Sequence, residues 1–450
     1  MRKKSSRRDF LKLGATAAGA CALCAASYRR VLGANNRVRT GVIGFSDRFR
    51  EALFPAFLKH AGSQQFEIVA LSDIWKRRRD EGISLIQEST GHAVAICHNN
   101  DELYDRKDVD AVIIATADFQ HAQHGIEAVR NNLDAYVEKP MAHTMEDARE
   151  FRKAVRQTGR VVEIGTQRRS ARNYQAAKQF IQSGKFGDIV AVELTWNVNR
   201  PGRWRRPQLV SQLKQEDTDW KRFLINRPLV EFDPRKYIEF RLFWPYSSGI
   251  PDQWMVHQID TVHWFTGLPH PRSVVANGGI YLWKDGRQNW DTLTAVFDYG
   301  PLNEPTKGFQ VVYSSRQTNS AGDVKELYRS NSGTLDLEKN MIGPEGGLDE
   351  GSASAMGLKS NKLAAHSLLE GVPATETGAN AGVDEATSLN MRNWMESVRN
   401  GKIPNANIEA GYSHSIALAM TIAAIQTGQR ATFDDQKQEV IVDGKVWAGQ

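Results

Sequence analysis

Three short stretches carry side chains whose types and spacing can do chemistry. In "RTGVIGFSDRF" (39–49) a strand of small and branched residues breaks at Gly44, where a dinucleotide-binding chain turns into its first helix. A G-x-G-x-x-G turn would place glycines at 44, 46 and 49; this chain has Gly44, Ser46 and Phe49. Ser46 is small and its hydroxyl can donate, whereas Phe49 demands a wider turn and Asp47 adds negative charge where phosphates would sit. The helix N-terminus still favours an anion. Asp73 closes "FEIVALSD" (66–73), the place from which an acid accepts from an adenosine ribose and repels a 2′-phosphate, favouring NAD over NADP. The same residue can instead cap a helix. The run Lys76-Arg77-Arg78-Arg79 follows, either a phosphate site that admits NADP or a solvated helix face. Glu138-Lys139-Pro140 then puts an ammonium at a strand end, and "QWMVHQID" (253–260) puts His257 and Asp260 on one helix face. An imidazole changes charge near neutral pH, so His257 suits acid–base work, with Asp260 to orient it; a structural histidine is the alternative. His263 completes H-x-x-D-x-x-H, but its side chain points about 120° from that of His257, so no metal site is expected.

The elements that must position these groups are legible in the period. From Val38 to Gly165 short apolar runs ("RTGVIG", "FEIVALSD", "VDAVIIAT", "DAYVE", "RVVEIG") alternate with helical patterns at Glu51–His60, Lys76–Glu88, His121–Arg130 and Met145–Gln157. That alternation predicts a parallel, doubly wound sheet covered on both faces. After Gly165 a helix (Tyr174–Ser183) leads to the longer strands "IVAVELTWNVN", "LTAVFDY" and "FQVVYSS", which predict an antiparallel sheet with one buried face. A Pro/Arg/Trp-rich loop, Asn199–Pro207, interrupts them; residues 343–382 read mostly as loop, and Glu385–Arg399 and His414–Thr427 as helices.

The sequence resembles the Gfo/Idh/MocA oxidoreductases, in particular their exported members. The resemblance rests on the E-K-P triplet at Glu138, Lys139 and Pro140 and on "VIIATADFQHAQHGIEA", "EIGTQRRSARNY", "SGKFGDIVAVELTW", "FRLFWPYSSG", "WMVHQIDTVHWFTG" and "NWMESVRNGKIPNANIEAGYSHS". It implies an α/β chain: a Rossmann domain (35–165), then a substrate and oligomerisation domain (166–450) with an open, mostly antiparallel sheet. Lys139 would sit between nicotinamide and the reacting hydroxyl, stabilising alkoxide-like charge as hydride leaves; a solvent-reaching lysine is the alternative. Gly44, Ser46, Asp73, Thr116, His121, Glu138 and Lys139 would hold NAD, with NADP possible. Of the family's D-x-G-x-H-x-x-D element this chain keeps His257 and Asp260, but Gln253 and Met255 replace the first Asp and the Gly. Gln253 can hydrogen-bond a substrate but cannot accept its proton, and the adjacent Asp252 would replace the lost acid only if the loop shifts. Thr116-Ala117 stands where the family has Thr-Pro, and Arg168, in the Gln167-Arg168-Arg169 run, and Tyr246 are substrate contacts by resemblance.

Composition narrows the remaining choices. At 450 residues, 41% hydrophobic and 24% charged, the chain is an ordinary globular composition. Its net charge of +6 comes from residues 1–34, which hold eight Lys/Arg and one Asp; without them 50 basic and 51 acidic residues leave −1, which argues against nucleic-acid binding. Within that leader, Ser6-Arg7-Arg8-Asp9-Phe10-Leu11-Lys12 precedes fourteen mostly small apolar residues, too short a run to span a bilayer. It resembles a twin-arginine signal and implies the export machinery as a partner, a periplasmic destination and no stable membrane span after processing. Cleavage could follow Ala20, Ala22, Ala26 or Ala34. Cys97 is the one cysteine beyond the leader, so no internal disulfide is expected there. Export of a folded protein suits an enzyme that carries a tightly bound cofactor. Three readings follow: an NAD(P)-dependent oxidoreductase acting on a sugar or polyol hydroxyl, an NAD-dependent redox-neutral glycoside hydrolase, or a non-catalytic sugar-binding protein on the same fold. The family resemblance also implies a homo-oligomer.

Overall fold

The computed structural model describes residues 37–200, 202–369 and 384–449; residues 1–34, read above as a twin-arginine signal, lie outside them. Six parallel strands, β1 (Val38–Ile43), β2 (Phe66–Ser72), β3 (Ala95–Cys97), β4 (Ala111–Ile114), β5 (Asp134–Val137) and β6 (Val162–Ile164), form one sheet in the order β3-β2-β1-β4-β5-β6. Every residue of β4 and β5 is buried, as expected of strands covered by helices on both faces. The order reverses between β1 and β4, and a ligand crevice opens beyond the carboxyl ends of strands at such a point.

The covering helices follow their sequence signals. Met145–Thr158 begins where the Thr144 side chain accepts from the Asp147 N–H and ends at Gly159, whose φ is +65°. Glu385–Asn400, far along the chain, returns to cover the outer face of this first sheet. Its Trp394 is fully buried and packs against Phe66 of β2 and Tyr136 of β5. Truncating Trp394 to Ala would cost about 3–5 kcal/mol through the cavity it leaves.

The second sheet has eleven strands among the described residues and is antiparallel except for one pair. Its centre is formed by β7 (Ile189–Asn197), β8 (Ser273–Gly279), β9 (Thr292–Tyr299), β10 (Phe309–Arg316) and β11 (Val324–Ser330), in the order β11-β7-β10-β9-β8, with β7 and β10 parallel. Alternation puts Val192, Leu194, Val311, Tyr313, Phe297 and Tyr328 inside. The helices Val256–Thr266 and Ile408–Thr427 pack together beneath that face. Ile408–Thr427 is long and apolar enough to cross a membrane, yet 83% of its apolar window is buried within the chain. Part of the segment read as loop is ordered, as the helix Glu350–Ala355 and the two-residue strand His366–Ser367.

Candidate active site

The turn after β1 folds without its second and third glycines. Gly44 has φ +87°, and a Cβ there would lie 2.7 Å from Thr116 Cγ2 and 3.0 Å from the Ala115 carbonyl, so no larger residue fits. Ser46 occupies the second glycine position and its Oγ accepts from the Phe49 N–H at 3.3 Å, leaving its own proton for a ligand. Phe49 is accommodated because the helix opens with a π turn, Phe49–Leu53, which widens the backbone. Its ring is fully buried between Phe45 and Phe54. The close approach that the third glycine normally allows is supplied instead by Gly82, where a Cβ would strike Leu71 and the Phe45 ring.

Asp73 does not cap the following helix, whose N-cap is Trp75. Its two carboxylate oxygens accept from the Phe45 N–H and the Trp75 N–H, both at 2.8 Å, so it ties the end of β2 to the turn after β1 while lining the cleft. The basic run beside it is spoken for. Lys76 pairs with Asp80, Arg77 and Arg78 with Glu81, and Arg79 donates to the Asp73 carbonyl. Arg78 also pairs with Asp47 at 2.8 Å, with Arg50 and Arg206 close by. Burial alone would raise the Asp47 carboxyl, but these arginines hold it below its ordinary value. Its charge at the turn is thus compensated within the protein.

Turn and catalytic candidates share a single cleft of about 1090 Å³ lined by both domains. Gly44, Ser46, Asp73 and Thr116 line one part; Lys139, Gln253 and His257 line another, with Glu138, His121 and Arg168 also on the wall. Lys139 donates from its ammonium to the Gln253 backbone carbonyl at 2.9 Å. Burial brings its pKa down to about 8, against the pull of Asp118 and Glu138. His257 makes no hydrogen bond among the described residues and lies 5.9 Å from the Trp196 ring. Burial holds its imidazole well below the ordinary 6.5, with Lys139 and Arg168 pushing the same way, so it is neutral at physiological pH. Glu138 accepts from Arg48 at 2.9 Å and from the Lys139 N–H at 3.2 Å, which fixes the backbone that carries the lysine.

Several expected site residues do other work. Asp260 makes no hydrogen bond to His257: its carboxylate takes Arg169 in two bonds at 2.7 and 3.0 Å and His414 at 3.4 Å. Tyr246 is no substrate contact; it is buried against Phe119 and Phe223 and does not reach the cleft. Asp252 does not replace the missing acid, being sealed against His143 at 2.9 Å and the Ser248 N–H at 2.7 Å. His121 borders the cleft, but its ring nitrogens face the Pro140 and Thr116 carbonyls at 2.8 and 3.2 Å. Arg168 is ion-paired with buried Glu326. His263 bonds Tyr299.

Four contributors went unassigned in the sequence. Asp118, two residues after Thr116, is buried and accepts from Ser247 at 2.6 Å and from the Gln253 side-chain amide at 2.5 Å. Arg241 donates from Nε to the Gln253 side-chain oxygen at 2.8 Å. Trp196 lies parallel to Trp254 at 6.1 Å, and both Trp196 and Trp204 line the cleft. The spacing from Thr116 could have flagged Asp118. Nothing local marks Arg241, on the turn Phe240–Leu242, or the tryptophans, Trp196 near the end of β7 and Trp204 on the loop after it.

Residues 38–166 match the family model described as "Oxidoreductase family, NAD-binding Rossmann fold" (GFO_IDH_MocA). Over these residues the chain is similar to the Gfo/Idh/MocA oxidoreductases. Among relatives, the chain is similar to a 1,5-anhydro-D-fructose reductase of Ensifer adhaerens, 30% identical over 42% of this chain and 56% of the relative. It is also similar to an inositol 2-dehydrogenase of Salmonella typhimurium, 29% identical over 41% of this chain and 52% of the relative. The chain thus spans about half the length of these curated relatives. A longer match, 24% identical over 71% of this chain and 77% of the relative, is to a scyllo-inositol 2-dehydrogenase (NAD(+)) of Bacillus subtilis. In fold, both domains resemble an oxidoreductase domain protein from Kribbella flavida (TM-score 0.65, 15% identity, 89% of this chain and 100% of that one). They likewise resemble the WlbA dehydrogenase from Bordetella pertussis solved with NADH and UDP-GlcNAcA (TM-score 0.62, 16% identity, 89% and 99%). Residues 38–166 thus carry an NAD-binding Rossmann fold on a modified turn.

Proposed function

We propose that the protein is an NAD-dependent oxidoreductase that moves hydride between a sugar or polyol carbon and the nicotinamide. The observation that carries this reading is that the Lys139 ammonium and the unbonded His257 imidazole share one cleft with the nucleotide turn. NAD suits the residues present: the turn at Gly44 and Ser46, the acid Asp73, and Thr116, whose buried hydroxyl has no protein partner. When bound, NAD would supply the hydride acceptor.

The chain's own residues do the rest. Lys139, charged below about pH 8, orients the reacting hydroxyl and holds the negative charge that grows on its oxygen. His257, neutral and without a protein hydrogen bond, takes the hydroxyl proton. Gln253 supports Lys139 through its carbonyl and presents no acid of its own. The Trp196 and Trp204 rings offer the flat apolar surface on which a sugar face stacks.

The twin-arginine leader supports a periplasmic enzyme whose cofactor travels tightly bound, and replacing Arg7 and Arg8 with Lys would then retain the protein in the cytoplasm. The functional test is to purify the protein, denature it and identify any released nucleotide by mass spectrometry, then titrate NAD into the native protein. Recovered or readily bound NAD supports the reading. A protein that neither carries nor takes up NAD overturns it and favours a sugar-binding role.

A further inference from the structure

One wall of the cleft is cationic beyond what hydride transfer needs. Arg200, Arg203 and Arg206, from the loop after β7, and Arg241, from the turn Phe240–Leu242, all line it. Arg241 is the best defined. Its guanidinium lies 4.4 Å from the Phe240 ring centre and its Nε is held by the Gln253 side-chain oxygen at 2.8 Å. Its two terminal amino groups make no hydrogen bond or ion pair among the described residues, leaving the forked edge that suits an oxyanion. Arg203 lies over Trp254 at 5.5 Å, next to the Trp196 and Trp204 rings.

The neighbouring acid, Asp118, attracts this charge but makes no direct ion pair with it. Asp118 spends its Oδ2 on Ser247 and on the Gln253 amide, which stands between it and Arg241 with its oxygen toward the arginine and its nitrogen toward the carboxylate. Position 253 thus carries an uncharged amide. A carboxylate there would compensate Arg241 from within the protein; Gln253 holds the guanidinium in place without neutralising it. Arg241 is partly buried, and withdrawing its charge from water costs free energy that a ligand of opposite sign offsets. Gln253 also ties the location down, since its side chain fixes Arg241 while its backbone carbonyl fixes Lys139. Arg241 and Lys139 are therefore held on the same residue, Gln253.

We infer that the substrate is an acidic carbohydrate, whose carboxylate or phosphate is taken by the Arg241 fork with Arg203 beside it while Lys139 and His257 act on a hydroxyl of the same molecule. This rests on the oxidoreductase reading above and narrows its substrate class.

Calorimetric titration of the NAD-saturated protein with D-glucuronate, D-glucose 6-phosphate, D-glucose and myo-inositol tests it. At least one acidic sugar binds about 10- to 100-fold more tightly than D-glucose, and the preferred one tells carboxylate from phosphate. Arg241→Gln removes that preference while NAD still binds, and Arg241→Lys, which keeps the charge but not the fork, restores part of it. Equal affinity for neutral and acidic sugars, or no binding by either acidic sugar, overturns the inference while leaving NAD uptake, and so the oxidoreductase reading, in place. A comparable fall in NAD affinity in Arg241→Gln would assign the arginine to the nucleotide's phosphates and also overturn it.

Discussion

The Lys139 ammonium rests on the backbone carbonyl of Gln253 at 2.9 Å, a bond between the end of β5 in the first domain and the helical turn before Val256–Thr266 in the second. Neither domain alone positions this lysine. Replacing it with Met removes the one cation placed to hold charge on the reacting oxygen. Turnover should fall by about 10²–10³, with folding and NAD affinity kept; a variant retaining wild-type turnover would remove Lys139 from the mechanism.

The pH profile follows from burial. Lys139 is charged below about pH 8 and neutral above, whereas His257 stays neutral through the range where an ordinary histidine titrates. Oxidation should therefore hold steady through pH 6.5 and decline as pH rises past about 8. An acidic limb centred near 6.5 would show that His257 titrates normally.

Asp260 tests the division between chemistry and support. Burial opposes its ionisation, but Arg169 and His414 hold its pKa well below the ordinary 3.8. Its contribution to stability is present above that value and fades as pH falls through the depressed one. Asp260→Asn leaves Arg169 buried without its partner and should cost about 3–5 kcal/mol in denaturant unfolding. Turnover per folded, NAD-loaded molecule should not change, and a selective loss of turnover would return Asp260 to the reaction.

Cofactor choice hangs on Asp73, which faces the cleft while each neighbouring Lys and Arg of the 76–79 run already has a protein partner. NAD should bind about tenfold or more tightly than NADP, since the 2′-phosphate meets a carboxylate and engaged arginines. Because Asp73 also holds the Phe45 N–H, Asp73→Ala should weaken NAD binding and lower the melting temperature together. Tighter NADP binding would mean that Arg78 or Arg79 leaves its partner for the phosphate.

The sequence announced both sheets because strand and helix periods are local. His121–Arg130 begins and ends where its pattern does, and the sharp break at Gly44 falls at the end of β1. The three-residue β3 was too short to show a period. The Glu385–Asn400 helix was visible, but its seat on the first sheet depends on Trp394 meeting Phe66 and Tyr136 across more than 200 positions, a packing fact with no local trace. The site divides in the same way. Lys139 and His257 stand in motifs, and both line the cleft. Asp260 shares the helix of His257 by spacing, yet a buried arginine on another element claims it. Arg241 and Asp118 meet at Gln253 only through tertiary structure.

The proposed reaction moves hydride to NAD from the carbon that bears a carbohydrate hydroxyl, with Lys139 and His257 handling that hydroxyl. Its most direct test is a single-turnover reaction in which NAD-loaded wild-type protein and the Lys139→Met variant are mixed with the neutral and acidic sugars named above, and nicotinamide reduction is followed by absorbance. Reduction in the wild type with at least one sugar, absent in the variant although NAD stays bound, is the expected result. No reduction by any of them in protein that demonstrably holds NAD, or equal reduction in the variant, would contradict the account.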